Sequence, residues 1–153
     1  MKKTIKYIIG VDAGKSGAIS IYNTQDESMI FFKMPETPLD IFQILEPYSE
    51  DSFAFLEKVG GRPMNGGSRA FNFGKLYGYM EMSLIAWKIP YETITAIKWQ
   101  KIYQLTPGKC YTEHKNLLKT KAQQLFPELK ITLWNCDAIL LMEYGKREFL
   151  KRI

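Results

Sequence analysis

The stretch that decides the fold is Thr4-Ile5-Lys6-Tyr7-Ile8-Ile9-Gly10-Val11-Asp12-Ala13-Gly14-Lys15-Ser16-Gly17-Ala18-Ile19-Ser20-Ile21-Tyr22. Residues 4–11 are dense in β-branched and aromatic side chains and read as a buried strand. Residues 12–17 carry two glycines and read as a tight turn. Residues 18–22 read as a second strand, and polar residues 23–27 as a further turn. The same stretch places a carboxylate, Asp12, directly after a buried strand.

Working outward, residues 29–33 read as a third strand that completes an antiparallel meander. Residues 39–45 form a short helix after Pro35 and Pro38. Residues 52–59 are the fourth strand. Their run Phe53-Ala54-Phe55-Leu56 is continuously apolar, as in a strand buried on both faces, and Glu57 ends it. A glycine-rich loop leads into a long helix over 68–87. Residues 91–97 are the fifth strand and 98–105 a short helix, which Thr106-Pro107-Gly108 breaks. A basic helix covers 112–126 and ends at Pro127. A last helix runs from about Asn135 to the end of the chain. A meander followed by strands alternating with helices predicts an α/β fold. Its mixed sheet has five strands, three antiparallel and two parallel, with helices on both faces. The 153 residues fit one domain over 1–153.

The 46% hydrophobic and 24% charged composition excludes a chain that is mostly disordered. No apolar run reaches the roughly 20 residues of a membrane span. The apolar stretch near the start is too short for a secretory signal and lacks a cleavage site. Two cysteines make no disulfide scaffold, and one histidine makes no zinc site of the usual Cys/His kind. A cytoplasmic setting is the expectation. Between Lys98 and Lys121 stand six lysines and one acid, a local excess equal to the +5 of the whole chain. Such a stretch reads either as a solvated face or as a surface for a polyanion.

Three acids stand at the ends of apolar elements. Asp12 reads as a turn residue bonding its own loop, or as a ligand. Glu57 reads as a strand-end group reaching water, or as a buried carboxylate that needs a partner. Asp137 follows Cys136 and precedes Ala138-Ile139-Leu140-Leu141. It reads as a first-turn acid favoured by the helix dipole, or as the third corner of a cluster. Two carboxylates about 4 Å apart repel by about 4 kcal/mol at an effective dielectric of ~20, so convergence implies a cation. Oxygen-only ligands suit Mg²⁺ or Mn²⁺.

Ile8-Ile9-Gly10-Val11-Asp12-Ala13-Gly14 followed by Gly17-Ala18-Ile19 resembles the first catalytic motif of RuvC-type Holliday junction resolvases. Phe55-Leu56-Glu57-Lys58-Val59 resembles the second. Cys136-Asp137-Ala138-Ile139-Leu140-Leu141, then Glu143-Tyr144-Gly145, is similar to the third, especially in phage and other mobile-element members. Phe71-Asn72-Phe73-Gly74-Lys75-Leu76-Tyr77-Gly78, Ile89-Pro90-Tyr91, Lys98-Trp99-Gln100-Lys101 and Lys121-Ala122 with Leu125-Phe126-Pro127 fit the same pattern in order. The resemblance implies an RNase H-like fold, a homodimer, and Mg²⁺-dependent paired nicking of four-way DNA junctions in a bacterial or phage-infected cell. It assigns Asp12, Glu57 and Asp137 as catalytic metal ligands. The family's fourth ligand position falls on Leu133 or Trp134, neither of which can bind Mg²⁺. Asn135 is the available substitute through its amide oxygen, or else the helix N-cap.

For the DNA, the expected contacts are Lys15, Arg62, Arg69, Lys115, Lys119 and Lys121 on phosphates, and Phe73 on an unpaired base. Gly74 and Gly78, one helical turn apart, allow close helix packing at a dimer contact. Three rival readings remain open: a sugar-kinase or actin-like ATPase, a junction-binding module without catalysis, and an RNase H-like nuclease for other branched or hybrid nucleic acids.

Overall fold

The computed structural model describes residues 4–59, 66–105 and 109–151. Five strands are present: β1 (Tyr7–Asp12), β2 (Ala18–Asn23), β3 (Met29–Lys33), β4 (Ser52–Lys58) and β5 (Tyr91–Thr95). They form one sheet in the order β3-β2-β1-β4-β5. The β1–β2 and β2–β3 pairs are antiparallel, and the β1–β4 and β4–β5 pairs are parallel, as the sequence predicts.

The helices are α1 (Pro38–Leu45), α2 (Gly67–Ala86), α3 (Ala96–Lys101), α4 (Tyr111–Leu125) and α5 (Cys136–Leu150), with one turn of 3-10 helix at Glu46–Tyr48. Alternation along the strands sorts their side chains into two cores. Ile9, Val11, Ala54 and Leu56 pack with Ile41 and Leu45 of α1 and Met80 and Leu84 of α2. Ile8 and Phe55 pack on the other face with Trp99 of α3, Leu118 and Ala122 of α4, and Ile139 and Leu140 of α5. The result is three layers, with helices on both faces of the sheet.

Two boundaries differ from expectation in ways that matter. Asp12 is the last residue of β1 rather than the first of the turn beyond it, while Glu57 lies inside β4 as expected. Strand β5 ends at Thr95 instead of residue 97, because the Thr95 side chain accepts the Lys98 backbone N–H and starts α3 there. This early start places Trp99 in mid-helix, where it is fully buried.

Helix α5 lies directly on the sheet because two glycines permit it. A Cβ at Gly10 would collide with the Ala138 carbonyl and with Met142, and one at Gly145 would enter the Phe55 ring. Backbone therefore meets backbone at the centre of the sheet, one residue from Asp137.

Candidate active site

Strand parity brings the first two acids together. Val11 pairs with Leu56, the last pair of that ladder, so Asp12 and Glu57 are the next residues on neighbouring parallel strands. Successive side chains alternate. Asp12 and Glu57 therefore take the face opposite to Val11 and Leu56, which is the face of α5. The Gly10 contact with Ala138 delivers Asp137 to the same place. The three acids lie toward one another at the carboxyl ends of the parallel strands, where open α/β sheets place their ligand crevices.

Their ionisation reports this proximity. Burial first, then the charge of Asp137, pushes Asp12 up to about 6, although Lys115 and the Gly14 N–H pull the other way. Glu57 is pushed up to about 7, by burial and then by Asp12, with a smaller contribution from Asp137. Asp12 keeps part of its expected turn role, since the Gly14 N–H donates to Oδ1, but at a long 3.4 Å.

Each of the other two acids has a strong partner. The indole N–H of Trp99 donates to Glu57 Oε2 at 2.8 Å. The Lys115 ammonium sits 2.8 Å from Asp137 Oδ2, and both side chains are less than 15% exposed. Burial works against the Lys115 charge. The Asp137 charge and hydrogen bond, with Cys136 and Asp12 behind them, outweigh it and hold its pKa above the ordinary lysine value. Asp137 Oδ1 accepts from the Cys136 thiol at 3.2 Å. Burial, then Asp137, pushes that thiol up to about 12, so Cys136 is a neutral donor here.

Asn135 does not join the acids. Its Oδ1 accepts the Thr132 backbone N–H at 2.8 Å, and its Nδ2 donates to the Lys130 carbonyl. Both ends of the amide are committed to the loop before α5. Asn135 stands at the N-cap position, yet its side chain makes no capping bond. Trp134 packs edge-on against Phe31 of β3 (5.8 Å), away from any ligand role. Among the described residues, no group of three or more His, Cys, Asp or Glu side chains stands close enough to hold a metal ion together.

The predicted DNA contacts fall in two groups. Lys15 is exposed in the turn after β1, and Arg69 is exposed in the first turn of α2. Phe73, one helical turn after Arg69, lies half-buried beside that same β1–β2 turn. Its ring and the Asp12 carboxylate both come within 4 Å of a Cβ built at Gly14. On the opposite face of the sheet, α4 carries Lys115 and, one turn on, Lys119. Lys121 is two-thirds of a turn away from Lys115 around the helix and does not share that face. Lys115 is not the free surface cation the sequence suggested, because its side chain is largely buried and bonded to Asp137. Arg62 lies outside the described residues.

Two functional features were not foreseen from sequence. A buried tryptophan needs an acceptor for its N–H, but nothing in the sequence shows that Trp99 is buried or that Glu57 is the acceptor. The Lys115–Asp137 pair joins residues 22 apart and has no local signature.

The fold is RuvC-like. A structure of Thermus thermophilus RuvC superposes with a TM-score of 0.60 at 9% identity, covering 94% of this chain and 96% of that one. A second, titled as T. thermophilus RuvC in complex with Holliday junction substrate, gives 0.59 at 10% identity, covering 93% and 96%. At this identity the likeness speaks for the fold alone. No protein-family model matches the sequence, and no curated protein matches it.

Proposed function

We propose that this protein is a divalent-metal-dependent endonuclease that binds four-way DNA junctions and nicks them in pairs as a homodimer. The observation that carries the reading is the placement of Asp12, Glu57 and Asp137, three acids from three elements, toward one end of a RuvC-like sheet.

The donor set fits Mg²⁺ or Mn²⁺. Mg²⁺ keeps several waters and takes one or two carboxylates rather than an all-protein cage, so a closed cluster of three is not required. The Asp137 charge raises the pKa of Asp12, and the Lys115 ammonium already stands in as a cation on Asp137. When bound, the ion would activate water and stabilise the leaving oxygen of a phosphodiester. The chain's own groups then have separate tasks. Lys15, Arg69 and Lys119 hold phosphates from the two faces of the site, and Phe73 offers a ring beside Asp12 for an unstacked base.

The dimer reading is supported by α2. Phe71, Gly74, Gly78, Met82 and Ile85 form one stripe along its outer side. Phe71, Met82 and Ile85 are each more than half exposed, and the two glycines have open space in front of them. A second copy related by a twofold axis would cover such a stripe with itself.

The competing reading is a junction-binding protein that has lost catalysis. It is favoured by Trp134 at the family's fourth ligand position and by Asn135 being fully engaged in its loop. One assay separates the two. Labelled four-way junction, duplex, flap and RNA–DNA hybrid are incubated with Mg²⁺, Mn²⁺ or EDTA, and the mass of the protein is measured in solution. Paired symmetric nicks in the junction alone, in metal alone, are expected. Tight binding with no cutting in either metal would replace the nuclease reading with the binding one.

A further inference from the structure

We infer that Trp99 is a positioning residue for Glu57, holding Oε2 so that Oε1 is the oxygen left to serve a bound ion. The inference rests on the metal-site reading above and concerns a residue outside the set of acids.

Trp99 is fully buried, and its indole N–H ends on Glu57 Oε2 at 2.8 Å. Among the described residues, Oε1 has no hydrogen-bond partner, so the two oxygens of one carboxylate are unlike. An oxygen whose lone pair already accepts a hydrogen bond has less left to offer a metal than its unbonded twin. The contact also fixes the side chain's torsions before any ligand arrives. The anchor itself is rigid. Trp99 packs edge-on against Tyr103 (6.3 Å), and the Tyr103 hydroxyl donates to the Leu140 carbonyl of α5 at 2.5 Å. Next to Trp99, Gln100 contacts the His114 ring of α4 at 3.1 Å, one residue from Lys115. Helix α3 thus links the partner of Glu57 to α5, which carries Asp137, and to α4, which carries its ammonium. Outer contacts of this kind change metal affinity by about 10–100-fold when removed.

The test uses the full chain, Mg²⁺ alone and no DNA. The three indole N–H signals are followed by ¹⁵N–¹H NMR during a Mg²⁺ titration. The Trp99 signal should move saturably with the Gly14 amide, while Trp87, whose indole is bonded to the Phe42 carbonyl, stays in place. Replacing Trp99 by benzothienylalanine keeps the ring shape and removes only the N–H. This variant should weaken Mg²⁺ binding by about tenfold or more with an unchanged fold by circular dichroism. Trp99→Phe, which also opens space in the core, should weaken it at least as much. If Gly14 responds to Mg²⁺ but Trp99 does not, or if the benzothienyl variant binds Mg²⁺ like the parent, the Trp99 inference falls and the metal site stands. If no site amide responds to Mg²⁺, the metal reading falls and takes this inference with it.

Discussion

Replacing Asp12 by Asn should make the metal-free protein more stable. In the folded chain Asp12 is pushed from 3.8 to about 6, by burial and then by Asp137. The folded state therefore holds a proton over a range in which the unfolded chain has already lost it. Below about pH 4 both states are protonated and the group has no effect on the balance. Between about pH 4 and 6 the unfolded state sheds its proton first, so stability falls as pH rises, and above that range the full cost is in place. At about 1.4 kcal/mol per pH unit the cost is about 3 kcal/mol. Asparagine keeps an oxygen for the Gly14 N–H but buries an amide with too few partners, a loss of about 1 kcal/mol. The expected net gain at pH 8 is about 2 kcal/mol, or about 4–8 °C in Tm for a chain of this size. Glu57 shares the repulsion with Asp12, so its relief belongs to the same gain and does not double it. Urea unfolding of parent and Asp12→Asn in EDTA, at pH 4.5 and pH 8, is the assay. The two proteins should nearly coincide at the lower pH and separate at the higher one. An Asn variant no more stable than the parent at pH 8, or a difference that ignores pH, would refute the idea that Asp12 is held under charge strain.

Gly10→Ala should cost about 1–3 kcal/mol by forcing α5 off the sheet, and cutting should fall further than stability explains because Asp137 moves with the helix; denaturation curves and nicking rates measured on the same samples check both. Lys115→Met should lower the Tm in EDTA, since Asp137 loses its ion partner, and Mg²⁺ should recover more of the loss than it adds to the parent; equal Mg²⁺ gains in the two proteins would count against a cationic role for Lys115. Junction binding should weaken steeply with salt, and Lys119→Ala should flatten the log–log slope by about 1; an unchanged slope would remove Lys119 from the interface.

Much of this architecture was legible because it follows from periodicity. The alternation in Phe53-Ala54-Phe55-Leu56-Glu57 specifies a strand buried on both faces and assigns Glu57 to one of them, and the same parity applies to Val11 and Asp12. What was not legible depends on contacts between distant segments. Nothing near Asn135 announces that the Thr132 N–H and the Lys130 carbonyl will consume its amide. A lysine-rich helix looks the same in sequence whether Lys115 faces water or Asp137. Ile97 looks like strand material, yet β5 ends at Thr95 because the Thr95 side chain caps the next helix.

The glycine contacts of α5 have a mechanical consequence. Where Gly10 faces α5, the strand meets the Ala138 carbonyl and the Met142 backbone and Cβ. The spacing between Asp12 and Asp137 is thus set by backbone against backbone, a junction without rotamers to hop or methyl groups to compress. Gly145, seven residues beyond Ala138 and two turns along the same helix face, locks the helix against Phe55 at a second point. Two such points stop α5 from sliding or turning on the sheet. The carboxylates are therefore held like the jaws of a gauge, whose opening is insensitive to the rearrangements that the softer outer faces of the helices can undergo.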